Sequence, residues 1–191
     1  MGCLLAPLGL ATGAGATSIT EFNPLIATSG PTGIVAGPDG SLWFTEYYGN
    51  RVGRITVAGV ATDWSTGSGI SSDSAPMGVA AGPDGNLWFA EYLHSRIGRI
   101  TPSAAATEFS SGISPSSLPR GIAAGPDGIV WFTEQGGNRI GRITPAGAVT
   151  EFSTGISAGR ASTGSRLGRT ATSGSPSTAA NASGASPRPA W

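Results

Sequence analysis

Pro31-Thr32-Gly33-Ile34-Val35-Ala36-Gly37-Pro38-Asp39-Gly40-Ser41-Leu42-Trp43-Phe44-Thr45-Glu46 occurs three times in this chain with small changes, the second copy running from Pro76 to Glu91 and the third from Pro119 to Glu134. A second block follows each copy: Arg51-Val52-Gly53-Arg54-Ile55-Thr56, then Arg96 to Thr101, then Arg139 to Thr144. A short closing segment follows in turn, Ala61 to Trp64, Ala106 to Phe109 and Val149 to Phe152. A partial copy of that segment, Ile19-Thr20-Glu21-Phe22, precedes the first repeat. Self-similarity at a period of about 40–45 residues is the mark of a repeat architecture.

Each copy reads as four strands. Gly33 to Ala36 is the first, Leu42 to Glu46 the second, Arg51 to Thr56 the third and Ala61 to Trp64 the fourth. Pro38-Asp39-Gly40 is a turn, with proline presetting φ and glycine supplying backbone freedom after the aspartate. Leu42-Trp43-Phe44 is apolar on both strand parities, where a half-exposed strand would alternate. Such a strand is buried on both faces, as in sheets stacked around a propeller axis. No segment has helical periodicity. The fold is therefore all-β, a β-propeller fragment of three four-stranded blades. Propellers close with about four to eight blades. Three leave an apolar face and an open strand edge, so the chain is expected either to be a fragment or to self-associate through open blade edges.

The flanks differ from the repeats. Residues 1–18 form a leader in which Cys3-Leu4-Leu5-Ala6-Pro7-Leu8-Gly9-Leu10, followed by Ala14-Gly15-Ala16, resembles the end of a signal peptide lacking its basic region. That reading places the protein in a secreted or periplasmic setting, and its failure in the cytoplasm. Residues 153–191 depart from the repeat, and Gly164 to Trp191, rich in Ser, Thr, Ala, Gly, Pro and Arg, reads as a disordered tail. The same stretch also reads as a frameshifted fourth repeat. With suitable codons for Arg169 to Ser177, reading two nucleotides later yields Asp-Gly-Asn-Leu-Trp-Phe-Thr-Glu, the repeat in register. The frame shift is expected close to Arg160.

The 191 residues carry 11 Lys plus Arg against 11 Asp plus Glu, a net charge of zero, which argues against nucleic acid and anionic membranes as partners. The Arg pairs, Arg51/Arg54, Arg96/Arg99 and Arg139/Arg142, are expected to be structural. Cys3 is the single cysteine, so no internal disulfide forms, and His94 is the single histidine, in a loop where it reads as a solvated or hydrogen-bonding residue. Asp39, Asp84 and Asp127 read as turn formers.

The residue before Gly-Ile or Gly-Val and the glutamate ending the second strand recur as Thr32/Glu46, Met77/Glu91 and Arg120/Glu134. Antiparallel pairing around the turn puts both at the same end of the hairpin, facing one mouth of the channel. A carboxylate per blade around one opening could hold a cation or act as acid and base. The alternative is that each glutamate pairs with a repeat arginine, such as Arg51, Arg96 or Arg139.

Gly-Pro-Asp-Gly-Asn-Leu-Trp-Phe-Ala-Glu (Gly82 to Glu91) and Arg-Ile-Gly-Arg-Ile-Thr-Pro (Arg139 to Pro145) resemble the repeat of the virginiamycin B lyases, also called streptogramin B lyases. The resemblance covers about Ile19 to Phe152. It implies a seven-bladed propeller and a magnesium-dependent carbon–oxygen lyase that opens a cyclic depsipeptide antibiotic at its ester by elimination, an antibiotic-resistance activity. The family's catalytic histidines stand before Gly-Ile in two blades. Thr32, Met77 and Arg120 occupy those positions here and become candidate substrate-binding residues, while Glu46, Glu91 and Glu134 match the family's glutamate and become the catalytic candidates. The only His-Gly-Ile that can be constructed lies in the frameshifted tail. As written, the chain is expected to be inactive as an enzyme, and the alternative function is a non-catalytic propeller module for a small-molecule or protein ligand, without cofactor.

Overall fold

A computed structural model describes Glu21 and residues 28–156. The leader, the partial segment before the first repeat apart from Glu21, and the tail after Ile156 lie outside the described residues. Twelve strands form three antiparallel sheets, each a simple meander. The first blade is β1 (Pro31–Ala36), β2 (Leu42–Glu46), β3 (Arg51–Ile55) and β4 (Ala61–Trp64). The second is β5 (Pro76–Ala81), β6 (Leu87–Glu91), β7 (Arg96–Ile100) and β8 (Ala106–Phe109). The third is β9 (Pro119–Ala124), β10 (Val130–Glu134), β11 (Arg139–Ile143) and β12 (Val149–Phe152). The first strand of each blade begins at the proline, two residues earlier than the pattern predicts, because Pro31, Pro76 and Pro119 pair with the glutamate closing the neighbouring strand. Among the described residues no helix is long and apolar enough to cross a membrane.

The Gly-Pro-Asp-Gly turn is more than a reversal. Gly40, Gly85 and Gly128 sit at φ of 75°, 74° and 75°, where a side chain would be strained. Asp39 Oδ1 accepts from the Ser41 amide (3.2 Å) and from the Trp43 indole N–H (2.9 Å). Asp84 and Asp127 take Trp88 (3.0 Å) and Trp131 (3.1 Å) in the same way. The turn thus locks the rotamer of the blade's largest side chain. Trp43 stacks on Trp64 at 5.2 Å between centroids, Trp88 on Phe109 at 5.6 Å and Trp131 on Phe152 at 5.6 Å. The second arginine of each pair, Arg54, Arg99 or Arg142, lies over both rings of its stack at 5.4–5.8 Å, a cation–π arrangement.

The core lies between blades, and the apolar run in each second strand feeds both sides of its sheet. Trp43 and Val52 of the first blade meet Val79, Leu87, Phe89 and Ile100 of the second. On the opposite face of the second blade, Trp88, Ala90 and Ile97 meet Ile122, Val130, Phe132 and Ile143 of the third. Burial of both parities follows the sequence expectation. The first blade's outer face shows the contrast: Leu42 is 39% exposed where its counterpart Leu87 is wholly buried.

Near the propeller axis the blades approach through glycine. A Cβ on Gly33 would lie 2.6 Å from the Met77 carbonyl oxygen, and one on Gly78 2.4 Å from that of Arg120. At the rim, each linker is tied to the blade that follows it. Glu108 on β8 accepts from the Ser71 amide (2.6 Å) and hydroxyl (2.7 Å). Glu151 on β12 holds Ser114 likewise, at 2.5 and 2.6 Å. Ile70 and Ile113, just before those serines, are buried in the two interblade cores.

Candidate functional site

The pairs Pro31↔Glu46, Pro76↔Glu91 and Pro119↔Glu134 bring each candidate glutamate to the same end of its blade as Thr32, Met77 or Arg120. The two sets of side chains then part. A register irregularity follows each proline, and such bulges re-aim neighbouring side chains. In the first and third blades the glycine amide at the irregularity is held by the second strand's threonine hydroxyl, Gly33 to Thr45 at 3.0 Å and Gly121 to Thr133 at 2.9 Å. Thr32, Met77 and Arg120 converge on one concave surface of about 480 Å³, joined there by Tyr47, Tyr92 and Gln135. The Arg120 guanidinium donates to Gln135 Oε1 at 3.3 Å. The Thr32 hydroxyl is spent on the Met77 carbonyl at 3.1 Å, which helps seat one blade on the next.

Tyr47, Tyr92 and Gln135 were missed at the sequence level. Each directly follows the glutamate that ends a second strand, and the recurrence of tyrosine after Glu46 and Glu91 was the available signal.

Glu46, Glu91 and Glu134 are all fully buried and do not line that surface. Glu91 Oε2 accepts from Arg96 Nε at 2.6 Å, and Arg96 is also 3.5 Å from Glu108. Glu134 lies 3.9 Å from Arg139, which is 3.8 Å from Glu151. The first blade differs. Arg51 bonds Asp63 at 2.7 Å instead of Glu46, because the position of Glu108 and Glu151 holds the shorter aspartate, which stays within its own blade. Burial raises the Glu46 carboxyl, opposed by the neighbouring Ser29 and by the charge of Arg51. His94 faces Asp73 with both ring nitrogens, Nε2 to Oδ2 and Nδ1 to the backbone oxygen, each at 2.9 Å, and does not line the concave surface.

Burial pushes Glu91 up to about 8, against the pull of Arg96. It pushes Glu134 up to about 8 as well, with the neighbouring Glu151 adding to the rise. The folded chain therefore holds protons that the unfolded chain releases above its ordinary carboxyl range. The stabilisation is full below about pH 4.5 and is lost as pH rises through about 8. Asp84 runs the other way: burial raises it, but the Trp88 indole and Asn86 outweigh that and hold it low, so its contribution disappears only in acid. The melting temperature is expected to fall by about 5 °C between pH 5 and pH 9, and Glu91→Gln to flatten that slope. A midpoint that stays level over this range would show that the buried carboxyls are ionised in the fold, with Arg96 holding Glu91 so.

The sequence model of the virginiamycin B lyase family matches residues 67–168. The chain belongs to the virginiamycin B lyase family. Selenomethionine-substituted virginiamycin B lyase from Staphylococcus aureus is 44% identical, with a TM-score of 0.66, the match covering 70% of this chain and 44% of that one. A streptogramin B lyase is 37% identical, with a TM-score of 0.64 and coverage of 70% and 43%. A catalytically inactive histidine-to-alanine variant of the Staphylococcus aureus virginiamycin B lyase, solved with quinupristin, is 46% identical, with a TM-score of 0.61 and coverage of 65% and 41%. The chain thus spans less than half the length of these family members.

The virginiamycin B lyase resemblance implies a magnesium ion, which needs several oxygen donors directed at one point. Among the described residues no three His, Cys, Asp or Glu side chains come together in a group able to hold a metal. The family's histidine positions carry a hydroxyl, a thioether and a guanidinium, and the glutamates are turned into the blades. The described residues do not fit a divalent cation.

Proposed function

We propose that these three blades form the ligand-cradling arc of a propeller that acts on cyclic depsipeptides of the streptogramin B type, and that they do not carry out the elimination unaided. The observation that supports this is the convergence of Thr32, Met77 and Arg120, the positions before the inner-strand Gly-Ile or Gly-Val, with Tyr47, Tyr92 and Gln135 on one concave surface. Family membership supplies the reaction class, and quinupristin accompanies one relative's structure. Opening the ester by elimination requires a base at the carbon next to a carbonyl and positive charge to stabilise the enolate that develops. Neither a threonine hydroxyl, a methionine sulfur nor a permanently protonated arginine takes that proton at neutral pH. Magnesium-dependent carbon–oxygen cleavage therefore belongs to a propeller in which other blades bear histidine before Gly-Ile.

The test is incubation of the chain with quinupristin, with and without magnesium. The expected result is intact antibiotic and a change in tyrosine fluorescence on binding. Magnesium-dependent ring opening would overturn the claim that these blades are inactive, and absence of binding would overturn the cradle. The three non-imidazole positions also favour a second reading, a non-catalytic ligand- or protein-binding propeller. Expression from the gene with its frame restored near Arg160 separates the two: turnover supports the lyase, and binding without turnover supports the module.

A further inference from the structure

The chain contains no lysine, and its described residues include seven arginines. Six are committed within the blades. Arg51, Arg54, Arg96, Arg99 and Arg139 each lie within 4.0 Å of a carboxylate, and Arg142 is stacked on Trp131 and Phe152. Arg120 is the exception. Among the described residues its side-chain partner is the neutral Gln135 amide oxygen, with no carboxylate in ion-pair range. It is also the one cationic side chain lining the concave surface.

That surface is otherwise uncharged. Tyr47 and Tyr92 stand 6.3 Å apart with their rings inclined at 56°, and Met77, on the strand flanked by the inner strands of the first and third blades, lines the same surface. A guanidinium presents a planar fork that matches a carboxylate in two parallel hydrogen bonds. Gln135 occupies part of that fork through its carbonyl oxygen and steers the remainder. Tyrosine rings and a polarisable thioether beside it offer flat, adaptable contact to an aromatic group.

We propose that the concave face binds an organic carboxylate bearing an aromatic ring, with the carboxylate on Arg120 and the ring against Tyr47, Tyr92 and Met77. The inference rests on the reading of this face as the ligand surface, and it is independent of whether the parent propeller is a lyase. Arg120 is a binding residue here, and Gln135 positions it.

The experiment titrates the full chain with N-acetylphenylalanine and with its neutral amide, followed by saturation-transfer NMR and tyrosine fluorescence. The acid is expected to bind at least about tenfold more tightly than the amide, the worth of one charge-assisted contact. Arg120→Gln should erase that preference without shifting the thermal midpoint, and Arg120→Lys, which keeps the charge but not the fork, should retain part of it. Equal binding of acid and amide by the unaltered chain would overturn the proposal, as would a preference that survives in Arg120→Gln. A parallel titration with quinupristin separates the two claims: if it binds while acid and amide do not differ, the cradle stands and the carboxylate site falls. If neither the acid nor quinupristin binds, both fall.

Discussion

Trp88→Ala is expected to cost about 3–5 kcal/mol, the range for emptying a fully buried aromatic site. Trp88 has no exposed surface, lies in the core between the second and third blades, stacks on Phe109 and donates its indole N–H to Asp84. Its removal opens a cavity in the interblade core, takes the indole donor from a turn aspartate that is left with Asn86 and uncovers one face of Arg99. The same substitution at Trp131, which is only partly buried and is absent from both interblade cores, should cost well under half as much. Chemical denaturation of the two variants side by side checks this. Equal losses would mean that the tryptophans act within their own sheets, through the turn and the stack, rather than between blades.

Gly98→Ala is expected to lose about 3 kcal/mol, at the upper end for overpacking, although it adds a single methyl group. Gly98 pairs directly across from Phe89, whose outer ring carbons fill the space a side chain there would need. A Cβ there would stand 2.1 Å from Phe89 Cζ and 2.2 Å from Cε2. The ring is fully buried against the first blade and has nowhere to turn. Placing the alanine in a Phe89→Leu background should bring its added cost below about 1 kcal/mol, because the clash is then relieved and the two changes are strongly coupled. Additive losses in the double variant would locate the strain in the β7 backbone instead of the ring.

Much of the fold was legible because the interactions that build it are local or strictly periodic. The turn, the four-strand order of each blade and the two-faced burial of Leu87, Trp88 and Phe89 each leave a mark within a few residues. The use of Asp84 as an indole acceptor left none, since it depends on a side chain reaching over the turn to a ring four residues on. The candidate site was legible in part. Counting along the hairpin brought Thr32, Met77 and Arg120 to one end with the glutamates, and the strand register does so. The bulge after each proline, which has no compositional signature, decides which side chains reach the concave surface, and so Tyr47, Tyr92 and Gln135 went unnoticed. The arginine partners were equally out of reach of pattern. Arg51 and Arg96 hold identical repeat positions, yet one answers to Asp63 and the other to Glu91, a choice made by one methylene on β4 as against β8.

The grip of Glu108 on Ser71, and of Glu151 on Ser114, bears on where one building block of this protein stops and the next starts. Each connecting segment gives its serine to the sheet it leads into, sets its isoleucine in the core shared by the two blades, and keeps one hydrogen bond to the sheet it leaves, Ala75 to Asn50 or Ser117 to Ser95. The cooperative module is therefore out of phase with the visible repeat: it begins just after the fourth strand, near Ser65 or Ser110, and ends with the next fourth strand at Phe109 or Phe152. A cut or graft made at Pro76 or Pro119, where the repeated sequence itself suggests a border, would sever an anchor from its dock. One made after Trp64 or Phe109 would keep each serine with its glutamate and give up only the single bond to Asn50 or Ser95, and blade exchange between related propellers should follow that seam.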